Sequence, residues 1–182
     1  MFGMVTNYFV WGLDLEKPVP YEVKVKCQKY SRPLTRIFIF AVGFMWMKSE
    51  DVEFDYTEYL GKDYDKRERP CTLVSNHSSW VDIIVFLHCK YFPSFVSKDA
   101  IKNVPLIKTM GKMLNCLLID REASKENKNK IVDDIIQRQH NIENGKDKYS
   151  LIIYPEGTTS NGFGLMKFKR GAFMSGLPIK PI

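Results

Sequence analysis

Hydrophobic and polar positions change character near residue 70. Beyond it, short apolar runs alternate with longer stretches of helical period. Residues 71–75 (CTLVS) predict a buried strand, followed by a polar loop and an apolar helix over about 80–89. Residues 94–97 predict a second strand, and residues 99–113 a helix that Pro105 kinks or divides. A third strand is predicted at 115–119 (NCLLI). Ser124 can cap a helix with the apolar stripe Ile131, Val132, Ile135 and Ile136, stopped at Gly145. Residues 150–154 (SLIIY) predict a fourth strand, and 177–182 begin a fifth. Strand and helix in alternation predict an α/β fold, helices flanking a largely parallel mixed sheet.

The first 69 residues read differently. Residues 1–13 are apolar and aromatic without a basic flank, so they lack the form of a secretory signal. Met1 is not followed by Gly, which removes the myristoylation pattern. Residues 14–36 are polar and interrupted by Pro18, Pro20 and Pro33, which predicts a connector. Residues 37–47 (IFIFAVGFMWM) form the strongest apolar run, bracketed by Arg32, Arg36 and Lys48. A helical span needs roughly 20 apolar residues, so this run is too short to cross a bilayer. It is either a core-packing helix or one embedded in a single leaflet, basic ends at the headgroups; the greasy N-terminus tips the reading to the second. Residues 50–70 are densely charged and read as surface. The division is therefore residues 1–69, membrane-associated and connecting, and residues 70–182, the α/β domain.

Composition adds bounds. The chain has 182 residues, 45% hydrophobic and 26% charged, enough for one domain with a core and too apolar for wholesale disorder. A net charge of +6 suits an anionic partner: a phosphorylated ligand, a membrane surface or a nucleic acid. No nucleic-acid motif or aromatic–basic interleaving supports the last. Cys27, Cys71, Cys89 and Cys116 are far apart, with no CxxC or Cys/His pairing. That argues against a zinc site or a disulfide framework, and no metal or cofactor is expected.

Candidate chemistry gathers at three predicted strand ends, where open α/β sheets collect their ligands. After the first strand come Asn76 and His77, with Asp82 in the first turn or so of the next helix. The carboxylate could fix the imidazole tautomer and leave the other nitrogen as a general base. Alone, such a pair is more commonly a loop histidine bonded to backbone and an aspartate favourably placed at a helix start. After the fourth strand comes YPEGTTSNG, residues 154–162. Its glycines and small hydroxyl residues let backbone N–H groups approach an anion, and Lys167, Lys169 and Arg170 follow with no acidic residue after Glu156. It lacks the Walker pattern, and an ordinary strand-ending turn fits it equally well. Arg121, closing the third strand, could clamp a phosphate or form a surface ion pair.

Taken in order, the blocks resemble the glycerolipid acyltransferase family, PlsC-like enzymes with an NHxxxxD motif. Asn76, His77 and Asp82 match the first block, and Arg121 the second. Pro155, Glu156, Gly157 and Thr158 match the third; Pro178 and Pro181 match the fourth. The resemblance covers roughly residues 70–182. It implies a glycerol-3-phosphate acyltransferase-like fold and transfer of a fatty acyl group from acyl-CoA, as co-substrate, to the free hydroxyl of a lysophospholipid. His77 would be the base and Asp82 its orienting carboxylate. Arg121, Glu156, Gly157 and Thr158 would hold the acceptor, and Asn76, Lys98, Lys102, Lys167, Arg170 and Pro178 would supply structural or CoA contacts. Many family members carry Arg where Thr159 stands. The TTSNG run and the downstream FKRGAF look closer to the lysophosphatidylcholine and lysophosphatidylethanolamine branch, which disfavours lysophosphatidate as acceptor. Family members continue past the fourth block, so the resemblance implies a domain truncated at its C-terminal end. It also implies a phospholipid membrane as partner, usually the endoplasmic reticulum, with a mitochondrial membrane as the alternative. The competing reading is an acyltransferase-like subunit, catalytically lost, with a structural or lipid-binding role in a larger membrane assembly.

Overall fold

The computed structural model describes residues 2–14, 17, 19–50, 52, 55, 57–63, 69–98, 105–119 and 125–182. Among the described residues, six α-helices, α1 (Phe2–Val10), α2 (Tyr21–Ala41), α3 (Thr57–Leu60), α4 (Val81–His88), α5 (Pro105–Met113) and α6 (Lys125–Glu143), accompany five strands, β1 (Thr72–Val74), β2 (Ser94–Lys98), β3 (Leu117–Ile119), β4 (Leu151–Ile153) and β5 (Ile179–Pro181). The strand order is β3-β2-β4-β1-β5. The expected mixed sheet is corrected in one respect: every described pairing is parallel. Parallel neighbours need long crossovers, which α4, α5, α6 and residues 154–178 supply. Pro105 neither kinks nor divides the described helix but begins it, the position where its missing N–H costs nothing. Ser124, the expected cap of α6, and residues 99–104 lie outside the described residues.

β1 and β4 sit side by side near the middle of the sheet, with Leu73 opposite Ile152 and Val74 opposite Ile153. Both are apolar at almost every position and buried throughout, as strands covered on two faces must be. Alternation along β4 sends Ile152 into one core with Leu73, Phe86, Leu87, Phe95 and Met113. Leu151 and Ile153 enter a second core against Ile135 and Ile142 of α6. Gly145, at φ +69, takes the left-handed conformation beyond the end of α6.

The N-terminal region departs from expectation. Residues 21–36 are not a connector, because α2 runs through them with Pro20 just before it and Pro33 inside it. A buried seam of Lys24, Cys27, Ser31, Thr35 and Ile39, spaced three or four residues apart, carries α2. Only two of these five are apolar, so the hydropathy pattern hid the seam. Around Pro33, the Ser31 and Thr35 hydroxyls donate to the carbonyls of Gln28 and Arg32 (3.2 and 2.8 Å). Val10 and Cys27 join the same core as Leu73 and Ile152.

The apolar run 37–47 is not one helix either. α2 ends at Ala41, Gly43 turns the chain at φ +101, and residues 44–50 have no regular structure. Arg36 stabilises the turn by donating to the carbonyls of Phe44 and Met45 (3.3 and 2.9 Å). No described helix is long and apolar enough to cross a membrane.

Candidate active site

The outgoing connections of β1 and β4 run in opposite directions across the sheet, since β1 leads leftward to β2 and β4 rightward to β5 in the order above. Their carboxyl ends therefore face a shared crevice. Residues 75–80 leave β1 and enter α4, whose first turn holds Asp82. One oxygen of Asp82, Oδ2, accepts hydrogen bonds from the backbone N–H groups of Ser78 (2.8 Å) and Ser79 (3.0 Å) and meets Nδ1 of His77 at 2.9 Å. An ionised carboxylate only accepts, so the Nδ1–H tautomer satisfies this contact and the Nε2 lone pair is left for a substrate. The His77 and Asp82 side chains are 16% and 26% exposed, open enough to be reached and closed enough to hold one geometry. Ser79 Oγ accepts from the N–H of Val81 (3.2 Å), a cap at the start of α4.

The loop after β4 closes over this pair. Ser160 N–H donates to the His77 carbonyl (2.8 Å), and a Cβ on Gly162 would lie 3.6 Å from Ser78 Oγ. Gly157, at φ +72, makes the turn by donating to the Tyr154 carbonyl (3.0 Å). A side chain there would meet Lys169, whose Nζ is 2.5 Å from where a Cβ would be. The Lys169 N–H donates to the Pro155 carbonyl (2.9 Å), which fixes the returning segment beside the turn. Glu156 is 3% exposed, and neither carboxylate oxygen has a hydrogen-bond partner among the described residues. Tyr154 stacks on His77, with ring centroids 4.1 Å apart. Burial, reinforced by the Asp82 charge and by Cys89, pushes its phenol well above the ordinary range.

The residues expected from sequence are placed unevenly. His77 and Asp82 are in direct contact, and the Glu156–Gly157 turn adjoins them through Tyr154 and Ser160. Asn76 is exposed and directs its amide at Ser78 Oγ (3.4 Å). Thr158, Lys167 and Arg170 are exposed, and Arg170 opens a short 3-10 turn. Pro178 immediately precedes β5, where Pro181 pairs in register with Val74. Arg121 and Lys102 lie outside the described residues, as does the side chain of Lys98. Two residues outside the matched family blocks stand out: Tyr154, against the imidazole, and Lys169, read from sequence only as one of the cations following the turn and now found against Gly157. The signal for Tyr154 was its place at the end of a buried strand, directly before the Pro-Glu-Gly turn.

This fold is that of an acyltransferase already solved. The crystal structure of the 1-acyl-sn-glycerophosphate acyltransferase PlsC from Thermotoga maritima superposes with a TM-score of 0.53, covering 97% of this chain and 63% of that one, at 24% identity. The family follows from sequence: the profile of the family described as Acyltransferase matches residues 56–182, and the chain belongs to that family. Among curated relatives, it is 33% identical over 164 residues to the lysophospholipid acyltransferase LPEAT1 of Arabidopsis thaliana, covering 83% of this chain and 41% of that protein. It is 32% identical over 149 residues to the lysophospholipid acyltransferase LPCAT4 of Xenopus tropicalis, covering 82% and 26%. With the lysophosphatidylcholine acyltransferase of Drosophila melanogaster it shares 33% identity over 132 residues, covering 71% and 23%. The chain thus spans less than half the length of each of these relatives.

Proposed function

We propose that this protein transfers a fatty acyl group from acyl-CoA to the free hydroxyl of a lysophospholipid. The observation that carries the reading is the 2.9 Å contact between His77 Nδ1 and Asp82, in a loop that also donates two backbone N–H groups to the same carboxylate oxygen. His77 Nε2 takes the proton of the acceptor hydroxyl as that oxygen attacks the thioester carbonyl. The tetrahedral intermediate then expels the CoA thiolate, which recovers the proton from the imidazolium. Ester and thiol are the products, and no covalent enzyme intermediate is needed. Asp82 orients the ring and stabilises its charged form.

The acceptor's phosphate end falls to the turn after β4. Gly157 and Thr158 offer backbone there, Lys169 offers a cation, and Arg121 is assigned to the same task. Glu156 binds a hydroxyl or holds Arg121 or a neighbouring lysine. The names of the relatives favour lysophosphatidylcholine and lysophosphatidylethanolamine as acceptors. Both substrates are amphiphiles, and the N-terminal region suits a lipid surface: Trp11, Ile37, Phe40, Met45 and Trp46 are exposed beside Arg36 and Lys48. Attachment to one leaflet of the endoplasmic reticulum membrane is the corresponding location. An assembled His–Asp pair gives no support to the catalytically lost subunit. The test is to present labelled acyl-CoA and a panel of lysophospholipids to the protein in nanodiscs. Acylated product with one or more acceptors is expected; folded protein that acylates none would overturn the reading.

A further inference from the structure

The ring of Tyr154 lies face to face with the imidazole of His77, centroids 4.1 Å apart and planes 18° from parallel. The acid–base chemistry above does not require this contact. The ring of Phe86 on α4 also meets Tyr154 edge-on, with centroids 6.4 Å apart. Its hydroxyl is buried without a hydrogen-bond partner among the described residues, so the position exploits the ring face rather than the polar tip.

We propose that Tyr154 is the positioning residue of the base, holding the His77 imidazole in the plane where Nδ1 meets Asp82 and stabilising the imidazolium formed at Nε2. The proposal rests on His77 acting as the base. A single hydrogen bond to Asp82 leaves the ring free to swing about the Nδ1–Oδ2 line, and a flat surface against one face removes that freedom. The electron-rich face of a tyrosine also attracts a cation stacked on it, more strongly where water is partly excluded. The Ser160 N–H bond to the His77 carbonyl comes from the same β4 loop, which thus grips the base by ring and by backbone. Among the described residues, the titratable groups in contact with His77 are Asp82, from α4, and Tyr154, from the end of β4. Glu156 and Lys169 lie in the adjoining turn, and the variants below leave both in place.

The experiment is NMR of the three histidines, assigned residue by residue, beside steady-state kcat and KM. In the wild type, the His77 ring protons should be shifted upfield by the tyrosine ring current and show cross-relaxation to Tyr154, with a protected Nδ1–H resonance from the bond to Asp82. Tyr154→Leu should weaken or lose that Nδ1–H resonance and lower kcat several-fold while changing KM less. Tyr154→Phe should keep both the resonance and kcat. The NMR measurement requires no turnover. A wild type without transferase activity would therefore sink the acyltransferase reading, while the positioning role would still be decided by NMR. Wild-type His77 ring protons without the upfield shift would overturn the proposal even if Tyr154→Leu failed to fold. So would an Nδ1–H resonance equally protected in wild type and Tyr154→Leu, or a Tyr154→Phe variant that behaves like Tyr154→Leu.

Discussion

The central strands and the N-terminal helices meet in one hydrophobic core but hold their places by different means. β1 and β4 bury every side chain they own, with Leu73, Leu151 and Ile152 wholly inaccessible. α2 buries a seam in which three of five residues are polar, and turns Ile37 and Phe40 outward. Lys24 shows how the seam is managed. Its ammonium sits 4.4 Å from the centre of the Tyr149 ring, and burial lowers its pKa, against the opposing pull of Asp147. A sheet of this kind is specified by apolar area removed from water. The helix is held through a largely polar seam packed on α1 and α4, with Ile37 and Phe40 left exposed. The candidate site's loops issue from the first region, and under the proposed function lipid access falls to the second.

That contrast can be broken at several points. The largest effect belongs to the loop that the sheet carries. Asp82→Asn should lower kcat/KM by roughly 10²–10⁴ while leaving the fold intact, measured by initial rates beside circular dichroism. A loss within about threefold would mean that the carboxylate does not serve His77. In the sheet itself, Leu151→Ala should cost about 2–5 kcal/mol in urea unfolding, because the two layers around β4 cannot collapse into the gap.

α2 offers a titration instead. Burial pushes the Cys27 thiol up to about 11 from an ordinary 9.0, against the lowering effect of Thr6. Between those values the unfolded chain has released the proton and the folded chain has not, so raising pH favours unfolding. This contribution is intact below about pH 9 and disappears as pH rises through 11. Replacing Cys27 with Ala should flatten the alkaline loss seen in urea midpoints measured across that interval. The smallest effect on stability lies on the outer face. Trp46, 87% exposed, should change unfolding by no more than about 0.5 kcal/mol when replaced by Ser, yet reduce retention on phospholipid vesicles. A Trp46→Ser variant that unfolds easily and binds vesicles unchanged would erase the distinction between the two regions.

The same contrast explains what could be read in advance. The strands around CTLVS, SLIIY and NCLLI were legible because a buried parallel strand must be a short apolar run, and all three came out within a residue or two. His77 and Asp82 were legible through the ordered blocks that resemble the family, since their spacing alone fits an ordinary loop histidine and a helix-start aspartate. α2 was not, since Pro20 and Pro33 are the usual signs of a break and its buried seam is largely polar. The contacts that hold it lie with α1 and with α4, the latter some forty residues further along the chain. Tyr154 was visible as a residue but not as a neighbour of His77. That neighbourhood exists only because β1 and β4 pair in register across nearly eighty residues of chain.

The most direct test of the central claim compares wild type with His77→Ala, in nanodiscs, supplied with labelled acyl-CoA and lysophosphatidylcholine or lysophosphatidylethanolamine. The account predicts acylated phospholipid from the wild type and a rate lower by roughly 10²–10⁴ or more from the variant, with both proteins equally folded. Equal rates from the two would contradict it, because His77 would then not be the base.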